Sequence, residues 1–174
     1  LSAFLLSFDF AVHRLNLTPF AGVDPNARGP AALWDRVISD DKKDYTPVFR
    51  FHNHLFIPTM VNDAPPVLFL MDTGAGITTI DQEYARSMTK VRTDRYSGLQ
   101  GLSGKVKNVY SADKFTLTFA RLRQQNQDTT AFDMKAMSQH TGFEIAGILG
   151  FPVLSMLKID IDYRNGLVRF RYKQ

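Results

Sequence analysis

The feature that most constrains this chain is an apolar run, Val67 to Met71, that ends directly in an aspartate. An uninterrupted apolar run of this length predicts a strand that is buried on both faces. A carboxylate inside such a strand would lose its hydration, so we expect Asp72 to lie where the strand ends. Thr73 and Gly74 follow, and glycine lets the backbone turn sharply. The pattern predicts a carboxylate with small neighbours at a strand end, a position suited to acid–base chemistry.

The segment Leu70-Met-Asp-Thr-Gly-Ala75 resembles the active-site motif of aspartic proteases, in the form found in retroviral proteases and their bacterial retropepsin-like relatives. Two later segments occur in the order that this family requires. A glycine-bearing stretch at 98–104 lies where the family has its flap. Ile148-Leu-Gly150 matches the hydrophobic-hydrophobic-Gly element that packs beside the catalytic loop. The resemblance covers residues 45–174, and the agreement of several weak signals strengthens it.

The resemblance implies a mostly β fold: a closed barrel of the retropepsin type with one or two short helices. It also implies that Asp72 is catalytic and that Thr73 and Gly74 support it. The implied substrate-binding residues come from the catalytic loop, the flap and the later Gly element: Ala75, Gly76, Gly98, Leu99, Gly101, Leu102, Ser103, Gly104 and Ile148. No organic cofactor and no metal ion is implied, and the substrate would be an extended peptide or protein.

This chemistry needs two carboxylates, and one domain carries one. Two carboxylates about 3 Å apart share one proton, because both cannot ionise at that distance. The ionised member takes a proton from a water molecule, and the protonated member donates to the scissile carbonyl. The resemblance implies that Asp72 of two subunits meet in a homodimer. Two alternatives stay open: a non-catalytic dimerisation or peptide-binding module of the same fold, and one half of a tandem pseudo-dimeric protease.

Residues 1–44 lie outside the resemblance and are predicted to form an N-terminal extension that precedes a retropepsin-like domain at 45–174. The extension contains a strand candidate, Phe8 to Leu17. From residue 21 onward the composition is typical of a linker. One short helix candidate in this part contains Trp34.

The extension also contains a partial internal repeat. Leu5 to Val12 resembles Met156 to Tyr163, with Asp9 over Asp160, as if residues 1–20 closed an upstream copy of the domain. We favour chance similarity between two amphipathic strands, because short alternating patterns carry little information.

Short strands separated by turns are predicted through the rest of the chain. The strand candidates are 48–60, 67–71, 157–163 and 167–172. The ranges 106–110, 114–119 and 129–137 are predicted to be strands or extended pieces. Helices are predicted at 81–88 and 152–156.

Composition excludes several other functions. The net charge is +4, but no basic tract interleaved with aromatic residues is present, so a nucleic-acid partner is not expected. No apolar run approaches the roughly 20 residues that span a bilayer. The chain has no cysteine, and His52 and His54 lack the further ligands that a metal site needs. The bacterial relatives favour an extracytoplasmic location.

Overall fold

The structure, a computed structural model, describes residues 1, 3–21, 42–92, 100–101, 104–105, 108–126 and 129–172. Within these ranges the protein is mostly β. The first strands are β1 (Phe4–Asp9), β2 (Arg14–Pro19), β3 (Thr46–Pro47), β4 (Phe49–Phe51), β5 (His54–Val61), β6 (Val67–Met71), β7 (Thr79–Asp81), β8 (Val91–Arg92) and β9 (Gln100–Gly101). The others are β10 (Gly104–Lys105), β11 (Tyr110–Ala112), β12 (Phe115–Phe119), β13 (Leu122–Asn126), β14 (Thr129–Phe132), β15 (Gly147–Leu149), β16 (Leu157–Asp162) and β17 (Leu167–Tyr172). The helices are α1 (Gln82–Met88), α2 (Lys135–Thr141) and α3 (Phe151–Leu154).

The chain divides into two compact units, of which the one at 56–152 carries Asp72. Its main sheet has the strand order β13-β12-β5-β6-β15-β7-β14-β11-β8. Two pairs in this sheet are parallel, β6 with β15 and β7 with β14. Strands β9 and β10 form a separate antiparallel hairpin, in which Gly101 pairs with Gly104. The core of the unit is built from large apolar side chains, among them Phe56, Ile57, Phe69, Ile80, Leu117 and Leu149.

The other unit consists of residues 1–55 and 153–174 and contains an antiparallel sheet in the order β2-β1-β16-β17-β3. Leu6, Ile159 and Val168 are buried in it. It also buries two carboxylates of β16, Asp160 and Asp162, almost completely. Buried carboxylates need partners, because unpaired charges are costly away from water.

Both buried carboxylates have such partners. The Asp160 Oδ2 atom accepts hydrogen bonds from Arg169 at 2.7 and 2.9 Å and from Arg171 at 2.7 Å. The Asp162 carboxylate pairs with the Lys42 ammonium group and accepts from the backbone and side chain of Asn165. Arginine suits such a position because its planar guanidinium carries several donors.

Burial opposes the ionisation of Asp160, but the bonds from Ser7 and Arg169 and the charges of Arg171 and Arg169 outweigh it and lower its pKa. A lowered pKa in the folded state adds stability above the unfolded pKa of 3.8, and this stability is lost as the pH falls through the folded value. We expect Asp160→Asn to lower the free energy of unfolding at pH 7 by about 3 kcal/mol. Denaturant unfolding should then show that the free energy of unfolding falls less between pH 7 and pH 2.5 in the variant than in the wild type.

The control for this experiment is Asp63→Asn. Asp63 pairs with Arg123 at 3.2 Å, and both side chains are more than half exposed, so this pair contributes little. Parallel acid-unfolding curves for Asp160→Asn and the wild type would contradict the assignment of this pH dependence to Asp160.

Several predicted strands and helices are confirmed. β6 has the predicted bounds, and β5 and β6 form an antiparallel pair across a turn in which Asn62 and Asp63 both have positive φ. The helices predicted at 81–88 and 152–156 correspond to α1 and α3. The helix candidate that contains Trp34 lies outside the described residues, and the domain boundary after residue 44 stays a prediction.

Four predictions were wrong. The strand candidate from Phe8 to Leu17 is two strands, β1 and β2, with a turn at residues 10–13. The candidate at 48–60 is interrupted by a turn at His52, which has a φ of 51°. The candidate at 129–137 is β14 followed by the start of α2, which ends at Gly142 in the left-handed conformation. The described residues therefore contain three short helices, where one or two were expected.

None of the described helices has the length and apolar character needed to cross a membrane.

Candidate active site

Asp72 lies directly after β6, at the end of a parallel pair of strands. Met71 pairs with Leu149 of β15, and the Asp72 N–H donates to the Leu149 carbonyl at 3.1 Å. The run from Val67 forms a strand that pairs with β5 and β15. Phe69 and Leu70 are buried, but Val67, Leu68 and Met71 are partly exposed, so the predicted burial on both faces holds only for the middle of the strand. The carboxylate therefore occupies the first position at which the chain leaves the core, as the sequence predicts.

The backbone after Asp72 folds around its carboxylate. The Gly74 N–H donates to Asp72 Oδ1 at 2.8 Å, and the Ala75 N–H donates to the Asp72 carbonyl at 3.2 Å. A side chain at Gly74 would begin 3.2 Å from Asp72 Oδ1, so glycine allows this close approach. The loop holds the side chain of Asp72 in one orientation and leaves it partly exposed. A fixed, accessible carboxylate can accept a proton from a bound water molecule.

The segment Ile148-Leu-Gly150 packs beside this loop, as predicted. The Phe151 N–H donates to the Ala75 carbonyl at 2.8 Å, and the Gly150 N–H donates to Thr78 Oγ1 at 3.1 Å. A Cβ atom on Gly150 would lie 2.1 Å from the Ile77 carbonyl oxygen. The backbone at residue 150 thus lies directly against the loop, and only glycine fits there.

Two residues that support the site were missed by the sequence analysis. Thr78 supplies the hydroxyl that accepts from Gly150, and no signal in the sequence marks it. Asp81 caps α1: its Oδ1 atom accepts from the Glu83 and Tyr84 N–H groups, both at 2.9 Å. An aspartate immediately before a helix is a common N-terminal cap, so this role was visible in the sequence.

Asp81 also joins distant parts of this unit. Its Oδ2 atom accepts from the N–H of Met134, a fully buried residue, at 3.0 Å. Its own N–H donates to the Ala146 carbonyl, immediately before β15, at 2.8 Å. One side chain therefore ties the start of α1 to the segment before α2.

Removing the Asp81 carboxylate is expected to destabilise this unit. Asp81→Ala should lower the free energy of unfolding by about 2–4 kcal/mol, because the helix loses its cap and a buried N–H loses its acceptor. Asp133→Ala is the control: Asp133 accepts a single exposed bond, from the Lys135 N–H at 2.8 Å, and should cost about 1 kcal/mol or less. Chemical denaturation measures both variants, and equal losses would show that the bond to Met134 contributes nothing.

The structure brings together only part of the predicted site. Thr73, Gly74 and Gly76 are exposed on the loop after β6, and Ala75 is partly exposed. Ile148 lies in the strand beside the loop and is 9% exposed. The Thr73 hydroxyl makes no hydrogen bond to the described residues of this loop.

The flap residues are only partly described. Gly101 and Gly104 pair across the β9–β10 hairpin, which is the kind of element that the resemblance implies. Gly98, Leu99, Leu102 and Ser103 lie outside the described residues. The approach of this hairpin to Asp72 stays a prediction. Across the described ranges, no group of three or more His, Asp or Glu side chains could hold a metal ion.

Comparison with solved structures finds proteins that are similar to part of this chain. The chain is similar to the EIAV protease complexed with the inhibitor HBY-793, at 17% identity and a TM-score of 0.44, over 61% of this chain and 89% of that one. It is also similar to a retropepsin-like aspartic protease from Rickettsia conorii, at 17% identity and a TM-score of 0.45, over 71% of this chain and 87% of that one. No curated protein sequence matches the chain.

A family comparison is more decisive. The family described as aspartyl protease matches residues 57–153, which is more than half of the chain and includes both the Asp72 loop and Ile148 to Gly150. The recognition made from these two segments is confirmed, and the chain belongs to the aspartyl protease family.

Proposed function

We propose that this chain is an aspartic endopeptidase, in which Asp72 activates a water molecule against the scissile carbonyl of a peptide. The carboxylate takes a proton from the water, which attacks the carbonyl carbon. A second carboxylate, protonated at that moment, donates a hydrogen bond to the carbonyl oxygen as negative charge develops there. The proton that Asp72 took from the water then passes to the amine nitrogen as the C–N bond breaks, which releases the amine and a carboxylic acid.

One observation carries this proposal. The Asp72 side chain is fixed by the Gly74 N–H at 2.8 Å, on a loop that is itself held by Phe151 and Gly150. A surface aspartate in an ordinary turn needs no second segment against its loop. A catalytic carboxylate benefits from one, because fixed groups do not have to reorganise during the reaction.

The second carboxylate must come from outside a single copy of these 174 residues, because they contain one Asp-Thr/Ser-Gly segment, at 72–74. One source is Asp72 of a second copy, in a homodimer whose Thr73 hydroxyls brace the opposing loops. The other source is an equivalent domain upstream in the same polypeptide, which would make this chain half of a tandem pseudo-dimer.

Substrate would bind in an extended conformation between the catalytic loop and a flap at Gly98 to Gly104. The peptide would add as a strand, so that its backbone gives affinity and its side chains give preference. Ala75, Gly76 and Ile148 would line the floor, and the complete domain would be a closed retropepsin-type barrel. The flap pairing of Gly101 with Gly104 supports this arrangement.

The alternative is a non-catalytic dimerisation or peptide-binding module of the same fold, since a fold does not determine an activity. Such a module would need the fold of the Asp72 loop but not the charge of its carboxylate.

The natural polypeptide, with any residues that precede Leu1 in it, should be incubated with a peptide library over pH 3 to 8. We expect cleavage within the peptides, and inhibition by a pepstatin-like compound. Binding of peptides without cleavage at any pH would favour the non-catalytic module. Cleavage that a pepstatin-like compound leaves unchanged would contradict the aspartic mechanism.

A further inference from the structure

We infer that residues 4–19 are the closing hairpin of a second, equivalent domain that precedes this one in the same polypeptide and supplies the second carboxylate. The inference rests on the proposed function for the role of that carboxylate. Its structural part rests on the five-stranded sheet alone.

The two hairpins of this sheet have the same construction. β1 spans Phe4–Asp9 and β16 spans Leu157–Asp162, a shift of 153 positions at both ends. The same shift carries β2, Arg14–Pro19, onto β17, Leu167–Tyr172. Each hairpin therefore has two six-residue strands and a four-residue connection.

The connections match in detail. The last connecting residue has positive φ in both hairpins, 49° at His13 and 63° at Gly166. The last residue of the first strand is an aspartate in both, and each accepts a bond from a backbone N–H of its own turn. Asp9 Oδ1 accepts from Ala11 at 3.2 Å, and Asp162 Oδ1 accepts from Asn165 at 3.0 Å. The structure thus matches Asp9 with Asp162, whereas the sequence comparison placed Asp9 over Asp160.

The pairing between the hairpins has two-fold symmetry. β1 and β16 are antiparallel, with Leu6 opposite Ile161 and Phe8 opposite Ile159. Shifting either pair by 153 positions gives the other pair, and the pair of Ser7 and Asp160 maps onto itself. An isologous contact between two equivalent units has this property, with its axis at the self-paired position. Since Ser7 is not Asp160, the two units are equivalent but not identical.

The burial of the two hairpins differs, as expected when only one of the two domains is present. Val168 and Phe170 of β17 are 0% and 8% exposed, whereas their counterparts in β2, Leu15 and Leu17, are 49% and 50% exposed. β17 pairs on its outer edge with β3, and β2 has no outer partner among the described strands. An uncovered edge strand can pair with a further strand, so β2 offers a place at which an upstream domain could continue the sheet.

This arrangement also opposes a homodimer built on the same sheet. β16 pairs with β17 on one side and with β1 on the other, so neither of its edges is available to a second copy. The inferred upstream domain would carry its own Asp-Thr/Ser-Gly. Asp72 lies 90 residues before Asp162, so we expect the upstream aspartate about 90 residues before Asp9.

The test uses the natural polypeptide with every residue that precedes Leu1. Leu15→Asn combined with Leu17→Asn should lower the midpoint of thermal unfolding by more than about 5 °C, because both side chains would be buried by the upstream domain. The control is Thr18→Asn, on the opposite face of β2, whose counterpart Arg171 is exposed. It should change the midpoint by less than about 2 °C.

Activity and mass give independent readouts. Replacing either Asp72 or the upstream aspartate by asparagine should abolish cleavage. Sedimentation should show that a single polypeptide is the active species. A natural polypeptide without an upstream Asp-Thr/Ser-Gly, or an active dimer in which the Leu15 and Leu17 variant is as stable as the control, would overturn the inference and leave the proposed function intact. A destabilised leucine variant in a protein that cleaves no peptide would overturn the proposed function and retain the domain pairing.

Discussion

Replacing Asp72 by asparagine is expected to lower kcat/KM for peptide cleavage by at least about 10³-fold while the protein stays folded. Asparagine has the shape of aspartate and keeps an Oδ1 atom. This atom can accept the bond that the Gly74 N–H donates to Asp72 Oδ1 at 2.8 Å in the wild type. It cannot take a proton from water, so activation of the nucleophile is lost. The loop geometry and the catalytic charge are therefore separated by one substitution.

The measurement is initial-rate kinetics on a peptide identified from the library, with the thermal midpoint recorded for each variant. Asp63→Asn is the matched control, because Asp63 is an exposed turn residue that makes a surface pair with Arg123. Its kcat/KM should equal that of the wild type. If Asp72→Asn retained wild-type kcat/KM, Asp72 would not be catalytic and the non-catalytic alternative for this fold would gain support.

The second large effect is expected at Gly150. Gly150→Ala should lower the free energy of unfolding by about 3 kcal/mol or more, because the new Cβ would lie 2.1 Å from the Ile77 carbonyl oxygen and 2.9 Å from that of Ala75. Both atoms belong to the backbone of the loop after β6, so no side-chain rotation relieves the overlap. The loop must move, and cleavage activity should fall with stability.

Gly76→Ala separates this effect from a general sensitivity of the loop to alanine. No atom lies within 4 Å of a Cβ placed on Gly76, so its free energy of unfolding should change by about 0.5 kcal/mol or less. Chemical denaturation compares the two variants. A Gly150→Ala protein as stable as Gly76→Ala would show that residue 150 does not hold the loop.

The sequence predicted the features that depend on local chemistry. The apolar run before Asp72 forms a strand with the expected bounds, although only Phe69 and Leu70 in it are buried. The turn after β5 was recognisable because Asn62 and Asp63 tolerate positive φ. The turn between β1 and β2 was missed because it contains no glycine, proline or asparagine. His13 nevertheless adopts a positive φ of 49° in it.

Features that depend on contacts between residues far apart in the chain were harder to predict from the sequence. The strand candidate at 129–137 extended too far, because the bond from the Met134 N–H to Asp81 fixes the backbone where α2 begins. Gly142, which ends α2 with a φ of 79°, was the sequence signal for that helix. The packing of Gly150 against Ile77 was predicted only through the resemblance to a family, since nothing local to Gly150 indicates its neighbour.

The central claim is that the Asp72 carboxylate is one of a pair that binds the tetrahedral state of peptide hydrolysis. Calorimetric titration with a pepstatin-like inhibitor tests it without knowledge of the natural substrate, because analogues of the transition state bind an enzyme more tightly than substrates do. We expect the wild-type natural polypeptide to bind the inhibitor and Asp72→Asn to weaken this binding by at least about 10²-fold. Equal affinity of the wild type and Asp72→Asn for the inhibitor would contradict it.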